Sequence, residues 1–337
     1  MIPARPLAQV RWGIVGCGAV TEVKSGPAFQ KIPGSSLVAV MRRDSDKARD
    51  YAMRHGVPRW YDDAAALIAD PEVDAIYVAT PPSSHREYAL MAIAAGKPVY
   101  VEKPMAIDHA ECQAIIDAGQ AAGVPVFVAY YRRMLPRFQR IAALLAEHAI
   151  GTPRLVNVLL HHPFEARYRD PANLPWTVRP EISGGGIFVD IGCHTLDILD
   201  FLLGPIVDAR GMVSNQLGAY PAEDTVAMAF RFDSGVLGTG LWNFAADRRE
   251  DRVEIVGDRG RLVFATFGDG PIRVETDGRV DDIVVVNPEH IQQPLIASIV
   301  AELTGQGTCP STARTGARTS WVMDQVLAKQ PGPIPPR

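Results

Sequence analysis

The sequence predicts an α/β protein in two parts. A doubly wound parallel sheet occupies about the first 130 residues, and an α+β part with a large, mainly antiparallel, open sheet follows it. Three observations carry this. Short apolar strands alternate with helix-period runs as far as residue 130, the pattern of repeated strand–helix–strand units. After Gly151 strands recur with short turns between them and few helices. A length of 337 residues is enough for two domains, set at 1–130 and 131–311, with a helix at 312–327 that can pack back on the first.

Composition narrows the class. Hydrophobic residues make up 47% and charged residues 21%, the balance of an ordinary globular protein. The net charge of -4 gives no reason to expect nucleic acid or an anionic membrane as a partner. No apolar run reaches the roughly 18 residues of a membrane span. Residues 1–11 contain no stretch of secretory type. The four cysteines, Cys17, Cys112, Cys193 and Cys309, form no CxxC pair and no disulfide framework, so a reducing cytoplasm is the expected setting.

In chain order, residues 11–15 form a strand, and Gly16-Cys17-Gly18-Ala19-Val20-Thr21 follows at once. Gly16 allows a tight turn. Gly18 lets backbone approach a pyrophosphate where Ala19 and Val20 open a helix. Thr21 stands where the fingerprint has Gly or Ala, and a plain glycine turn is the bland alternative. Residues 37–41 form the second strand, ending in Arg42, Arg43 and Asp44. Arginines there suit a 2′-phosphate, which favours NADP while leaving NAD possible. The other reading is two solvated arginines, with Asp44 on the ribose or capping the helix 44–55 that Gly56 closes. Another short helix is expected at 62–69, and a strand at 74–79. The loop Thr80, Pro81, Pro82 with His85 then lies beside the glycine loop, where its backbone can run along the cofactor. Ser83 is the expected cap of a helix at 84–95. Residues 99–101 form a buried strand that ends in Glu102 and Lys103 and stops at Pro104. Lys103 is thereby placed at the carboxyl edge of the sheet, where such sheets bind ligands, as a catalytic acid, an oxyanion partner or an ordinary surface lysine. A helix at 108–122 and a strand at 125–130 complete this part.

Residues 134–148 form an amphipathic helix. Strands are expected at 155–161, 224–232, 236–244, 251–256, 261–264 and 282–286, and closing helices at 291–303 and 312–327; residues 331–337 read as a loose tail. One face of the sheet needs a cover, and another subunit is the candidate. The segment 182–197 is unlike the rest. Three glycines (184–186) precede Asp190, His194 and Asp197, spaced to share one face of a helix. Such a group can move a proton with the acid orienting the ring, bind a metal, or be a buried polar helix end. Further ligands at nearby spacing are lacking, so no metal is expected. Tyr131, after the strand 125–130, and Trp176, before the glycines, are candidate substrate contacts.

The glycine loop at 16–18, the Thr80-Pro81-Pro82 loop with His85, Glu102-Lys103-Pro104, and the glycine segment leading to Asp190 and His194 occur in one order over nearly the whole chain. In this the chain resembles the Gfo/Idh/MocA family of sugar and inositol oxidoreductases. The resemblance implies a Rossmann domain and an open-sheet domain that often forms the subunit interface, here of a homodimer or homotetramer. It implies reversible hydride transfer between NAD(P) and a secondary alcohol or ketone of a sugar or polyol. Lys103 is then the catalytic lysine, Glu102 and the loops above lie at the cofactor, Asp190 lies beside the substrate, and His194 is the acid–base. Two other functions fit the same fold: a glycosidase with tightly held NAD, and a non-catalytic NADP-binding sensor.

Overall fold

The computed structural model describes residues 6–329; the tail expected at 331–337 lies outside them. Fourteen strands are described: β1 (Val10–Val15), β2 (Ser35–Met41), β3 (Arg59–Tyr61), β4 (Ala75–Val78), β5 (Val99–Val101), β6 (Val126–Val128), β7 (Pro153–Pro163), β8 (Ile206–Ser214), β9 (Thr225–Phe232), β10 (Leu237–Ala246), β11 (Glu250–Gly257), β12 (Gly260–Phe264), β13 (Ile272–Thr276) and β14 (Arg279–Ile283).

Among the described residues the first compact unit comprises 6–106, 110–135 and 288–317. Its six strands run in the order β3-β2-β1-β4-β5-β6, all parallel. Both faces are covered, so β4, β5 and β6 are buried at every position. Because the strands are parallel, their carboxyl ends share one edge. The helix Ser45–His55 starts where Asp44 accepts the Lys47 N–H and stops at Gly56, whose φ of 64° is left-handed. The cap expected at Ser83 is displaced by one residue. A 3-10 turn, Pro82–Ser84, intervenes, and Ser84 precedes the helix His85–Ala94 with its hydroxyl on Thr80 and the Pro81 carbonyl. Residues 288–311, expected with the second part, lie with the first: the Val128 N–H donates to the Ser311 carbonyl at 3.1 Å, and the Ser311 hydroxyl returns a bond of 2.7 Å to the Val128 carbonyl.

Among the described residues the second unit comprises 107–109, 136–287 and 318–329. Its eight strands run β14-β13-β12-β11-β7-β10-β9-β8 and are antiparallel except for the β7–β10 pair. Burial alternates residue by residue along β9 and β10, so one face is covered and the other is open. On the covered face Phe188 meets Trp242 edge-on at 5.1 Å, which seats the segment bearing Asp190 and His194 on the sheet. The helix Cys193–Leu203 is further fixed by Asp200, buried and bonded twice by Arg318 at 2.6 and 2.7 Å. The strand expected at 282–286 is Arg279–Ile283 instead. Asp277 and Gly278 both have positive φ and close a two-residue hairpin, which fixes Thr276 opposite Arg279 and leaves Val284 and Val286 outside the ladder. Among the described residues no helix is long and apolar enough to cross a membrane, and the four cysteines are buried.

Candidate active site

At the carboxyl edge of the first sheet the glycine loop is drawn against its neighbours. The N–H groups of Gly16 and Cys17 both donate to the Met41 carbonyl, at 2.9 and 3.0 Å. Gly16 has φ +93°, and a Cβ there would lie 2.6 Å from Thr80 Cγ2 and 3.0 Å from the Thr80 nitrogen. Only glycine lets the loop after β1 and the loop after β4 come this close. Beside Gly18 a Cβ would meet nothing nearer than 3.8 Å, so glycine leaves open room there for a large ligand to approach the backbone. Thr21 is fully buried, and its hydroxyl both accepts the Gly18 N–H (3.0 Å) and donates to the Gly18 carbonyl (2.9 Å). The departure from the usual glycine pattern is thus a staple on the loop. Ala19 and Val20 open the helix Ala19–Val23, whose first N–H groups have no acceptor within the helix. These features fit a bound dinucleotide.

After β2, an Arg42 Nη lies 3.4 Å from the Cys17 carbonyl, which holds the guanidinium over the glycine loop; Arg43 is exposed. Asp44 is engaged as a helix cap and pairs with Lys47 at 2.7 Å. Thr80 and Pro81 are part-exposed and Pro82 is buried. His85 is fully buried, with Nδ1 3.0 Å from the Pro104 carbonyl and Nε2 2.6 Å from the Thr80 carbonyl. Burial pulls its imidazole below the usual histidine range. With no exposed surface, His85 lies between the Thr80 and Pro104 carbonyls and joins the 80–82 loop to the Lys103–Pro104 turn, the single N–H of the neutral ring donating to one of them.

Lys103 is part-exposed and follows a buried glutamate. Glu102 accepts from Tyr77 Oη (2.5 Å), from Gln292 Nε2 (2.7 Å) and from the Lys103 N–H (3.1 Å). Its side chain is therefore turned into the sheet, where it supports the strand end from beneath. Burial, with the Glu102 charge beside it, pushes the Tyr77 hydroxyl well up, so Tyr77 holds its proton as a donor. Tyr131 is 5% exposed, with the Arg132 guanidinium 5.0 Å from its ring centre.

In the second unit, residues 188–192 make a π-helical turn that leads into the helix Cys193–Leu203. Such turns carry an extra residue and occur often at functional sites. Asp190 is part-exposed on this turn, and His194 and Asp197 are buried on the helix that follows. The glycines are needed for approach: Gly184 has φ +82°, and a Cβ on it would strike the Ile107 carbonyl. Gly186 donates its N–H to Glu223 at 2.8 Å. The His194 ring meets Phe267 edge-on at 5.8 Å. Phe267 is held by Asp251, which accepts the N–H groups of Thr266, Phe267 and Gly268 at 2.9, 2.6 and 3.1 Å. His162 shares the covered face with Phe244, 5.9 Å away, while Trp176 is 37% exposed on a short turn. Sequence reasoning missed Gln292, Asp251 and Phe267, since each acts through partners distant in sequence and no local pattern marks them.

Comparison with known proteins agrees with this geometry. Residues 10–130 match the oxidoreductase family with an NAD-binding Rossmann fold, and residues 138–263 match the GFO/IDH/MocA C-terminal domain. An oxidoreductase P35 of Formosa agariphila is 39% identical over 94% of this chain and 98% of its own. The chain belongs to the Gfo/Idh/MocA oxidoreductases. A 1,5-anhydro-D-fructose reductase of Ensifer adhaerens is 27% identical over 91% of this chain and 92% of its own. A levoglucosan dehydrogenase in complex with NADH and levoglucosan shares the fold, with a TM-score of 0.85 over 95% of this chain and 96% of that one at 21% identity. Family membership makes this chain a nicotinamide-nucleotide-binding oxidoreductase.

Gly16→Ala should therefore weaken binding of reduced nicotinamide nucleotide by about tenfold or more, roughly 1.4 kcal/mol, in a fluorescence titration. Parent-like affinity would mean that the approach of the two loops does not shape the site.

Proposed function

We propose that this member of the family is an NADP-preferring oxidoreductase that moves a hydride between nicotinamide and a secondary alcohol or ketone carbon of a sugar or polyol. The observation that carries this is Lys103, set on a braced strand end at the carboxyl edge of the nucleotide-binding sheet, in a chain that also has Asp190 on a π-helical turn and His194 on the helix that follows it. When bound, the nicotinamide ring supplies or accepts the hydride. The Lys103 ammonium donates to the substrate oxygen and stabilises the negative charge that develops on it, a contribution that grows as water is excluded. His194 takes the alcohol proton or returns it, which an imidazole does near neutral pH. Asp190 binds substrate hydroxyls. The sugar or polyol class is supported by the names of the relatives above.

The preference for NADP rests on the end of β2. Arg42 lies at the glycine loop, Arg43 is exposed, and Asp44 is occupied as a cap, which supports reading the two arginines as partners of a 2′-phosphate. The open face of the second sheet is the surface proposed to take a second copy. Leu237 and Leu241 of β10 are exposed there beside Leu155 of β7, an apolar strip with no cover among the described residues.

Lys103→Ala and His194→Ala each lower kcat by about 10² or more with NADPH binding retained; undiminished turnover in both removes them from the chemistry. Fluorescence titration should give NADPH at least tenfold tighter than NADH, about 1.4 kcal/mol, with the preference lost in the Arg42→Ala, Arg43→Ala double variant. Equal or tighter NADH binding contradicts the cofactor assignment. Leu237→Glu combined with Leu241→Glu converts the oligomer to monomer in light scattering, whereas an unchanged mass places the interface elsewhere.

A further inference from the structure

Glu102 and Lys103 are consecutive, so whatever fixes the Glu102 side chain bears on the main chain that carries Lys103. One carboxylate oxygen of Glu102 accepts the Lys103 N–H at 3.1 Å; the other accepts from Tyr77 and from Gln292. Gln292 comes from far along the chain, immediately before the helix Gln293–Leu303, and its side chain is fully buried. Its amide oxygen accepts from Tyr100 Oη at 2.7 Å, and its main-chain N–H donates to the Lys24 carbonyl at 3.2 Å, next to the helix that leaves the glycine loop. The amide fits only one way round. Turned over, its oxygen would face a Glu102 oxygen, and two acceptors would meet with no proton between them.

We propose that Gln292 is a positioning residue for Lys103: its amide, together with the Tyr77 hydroxyl, sets the Glu102 carboxylate, and the carboxylate sets the main chain from which the lysine is presented. This rests on the proposed part of Lys103 in hydride transfer. The physical basis is that a buried carboxylate is acceptor-only and expensive to leave short of donors. Without the Gln292 amide it turns to find a replacement, and the Lys103 N–H, bonded to it, moves with it. A displacement of about 1 Å in a catalytic group costs on the order of 10² in rate.

The test uses the full chain with Gln292→Leu and Gln292→Glu, each shown to be folded by a thermal melt and by NADPH titration. In Gln292→Leu, kcat for sugar-ketone reduction falls about tenfold or more, while the Kd for NADPH stays within about threefold of the parent value. In Gln292→Glu two carboxyl groups face each other and share one proton. That proton replaces the amide donor, so kcat approaches the parent value at low pH and falls as the proton leaves. The pH profile gains an ionisation absent from the parent and from Gln292→Leu, which a merely structural role would not produce. The titratable groups around this pair include Tyr77, Tyr100, Lys103 and His85, with Cys309 and Tyr131 beyond Tyr100. Parent-like kcat in Gln292→Leu, or a parent-like pH profile in Gln292→Glu, overturns the proposal. Should neither variant fold, Tyr100→Phe removes only the proton given to the Gln292 amide. A loss of roughly threefold in kcat supports the proposal, and no loss overturns it. If the parent itself reduces no sugar ketone, the proposed function fails separately, and positioning is read on the lysine alone. Acetic anhydride then labels Lys103 at a rate, relative to Lys97, changed by about threefold or more in Gln292→Leu; an equal rate overturns it.

Discussion

A carboxylate buried at the end of a parallel strand has to be satisfied from several directions, and the first unit is built around meeting that demand for Glu102. Adjacent strands supply the partners: Tyr77 from β4 reaches the carboxylate, and Tyr100 from β5 reaches Gln292, which completes the set. The two tyrosine rings stack at 4.7 Å, so their hydroxyls are delivered in register. Each member alone would be a costly buried polar group; together they leave the carboxylate with three donors. The same edge carries the glycine loop, held to Met41, and His85, which joins the 80–82 loop to the turn after Lys103. Rigid support beneath, with Lys103 and Arg42 part-exposed above, is the arrangement a binding edge requires.

The second unit meets a different constraint. A sheet of eight strands with one covered face places all its supporting contacts on that side, and the helix Cys193–Leu203 with its π-helical turn occupies the cover. Phe188 on Trp242 seats the turn, and the Asp200–Arg318 pair fixes the helix farther along. Asp251 fixes the 266–268 loop against His194, so the imidazole is bounded by a held aromatic edge. The π-helical turn interrupts the regular helical pattern, and Asp190 keeps part of its exposure there.

Much of this is legible in the sequence, for reasons that are local. Strand–helix alternation, Asp44 as a cap, Gly56 as a stop, and the charged end of β5 are written within a few residues of where they act. The misses have physical causes. β3 holds only three residues, none buried, so it shows no apolar run. β8 lies at the sheet edge and buries only Ile206 and Ala209, so no alternation marks it. For β13 and β14 the signal was present in Asp277-Gly278, a hairpin dipeptide, but the apolar run 283–286 drew the strand three residues too late. Residues 288–311 join the first unit through the 128–311 hydrogen bonds, which nothing local announces. In the candidate site, Lys103, Asp190 and His194 stand in motifs, whereas Gln292 and Phe267 act only through folding.

Hydride transfer to a sugar carbon is the central claim, and isotope transfer tests it most directly. The purified protein would be incubated with NADPH carrying deuterium at the reactive carbon of its nicotinamide and with a set of sugar ketones, and the products weighed by mass spectrometry. One deuterium on the newly formed carbinol carbon, with the labelled product formed about 10² more slowly by Lys103→Ala, is the predicted result. Unlabelled products, or cleavage of a glycoside without net consumption of NADPH, would contradict it.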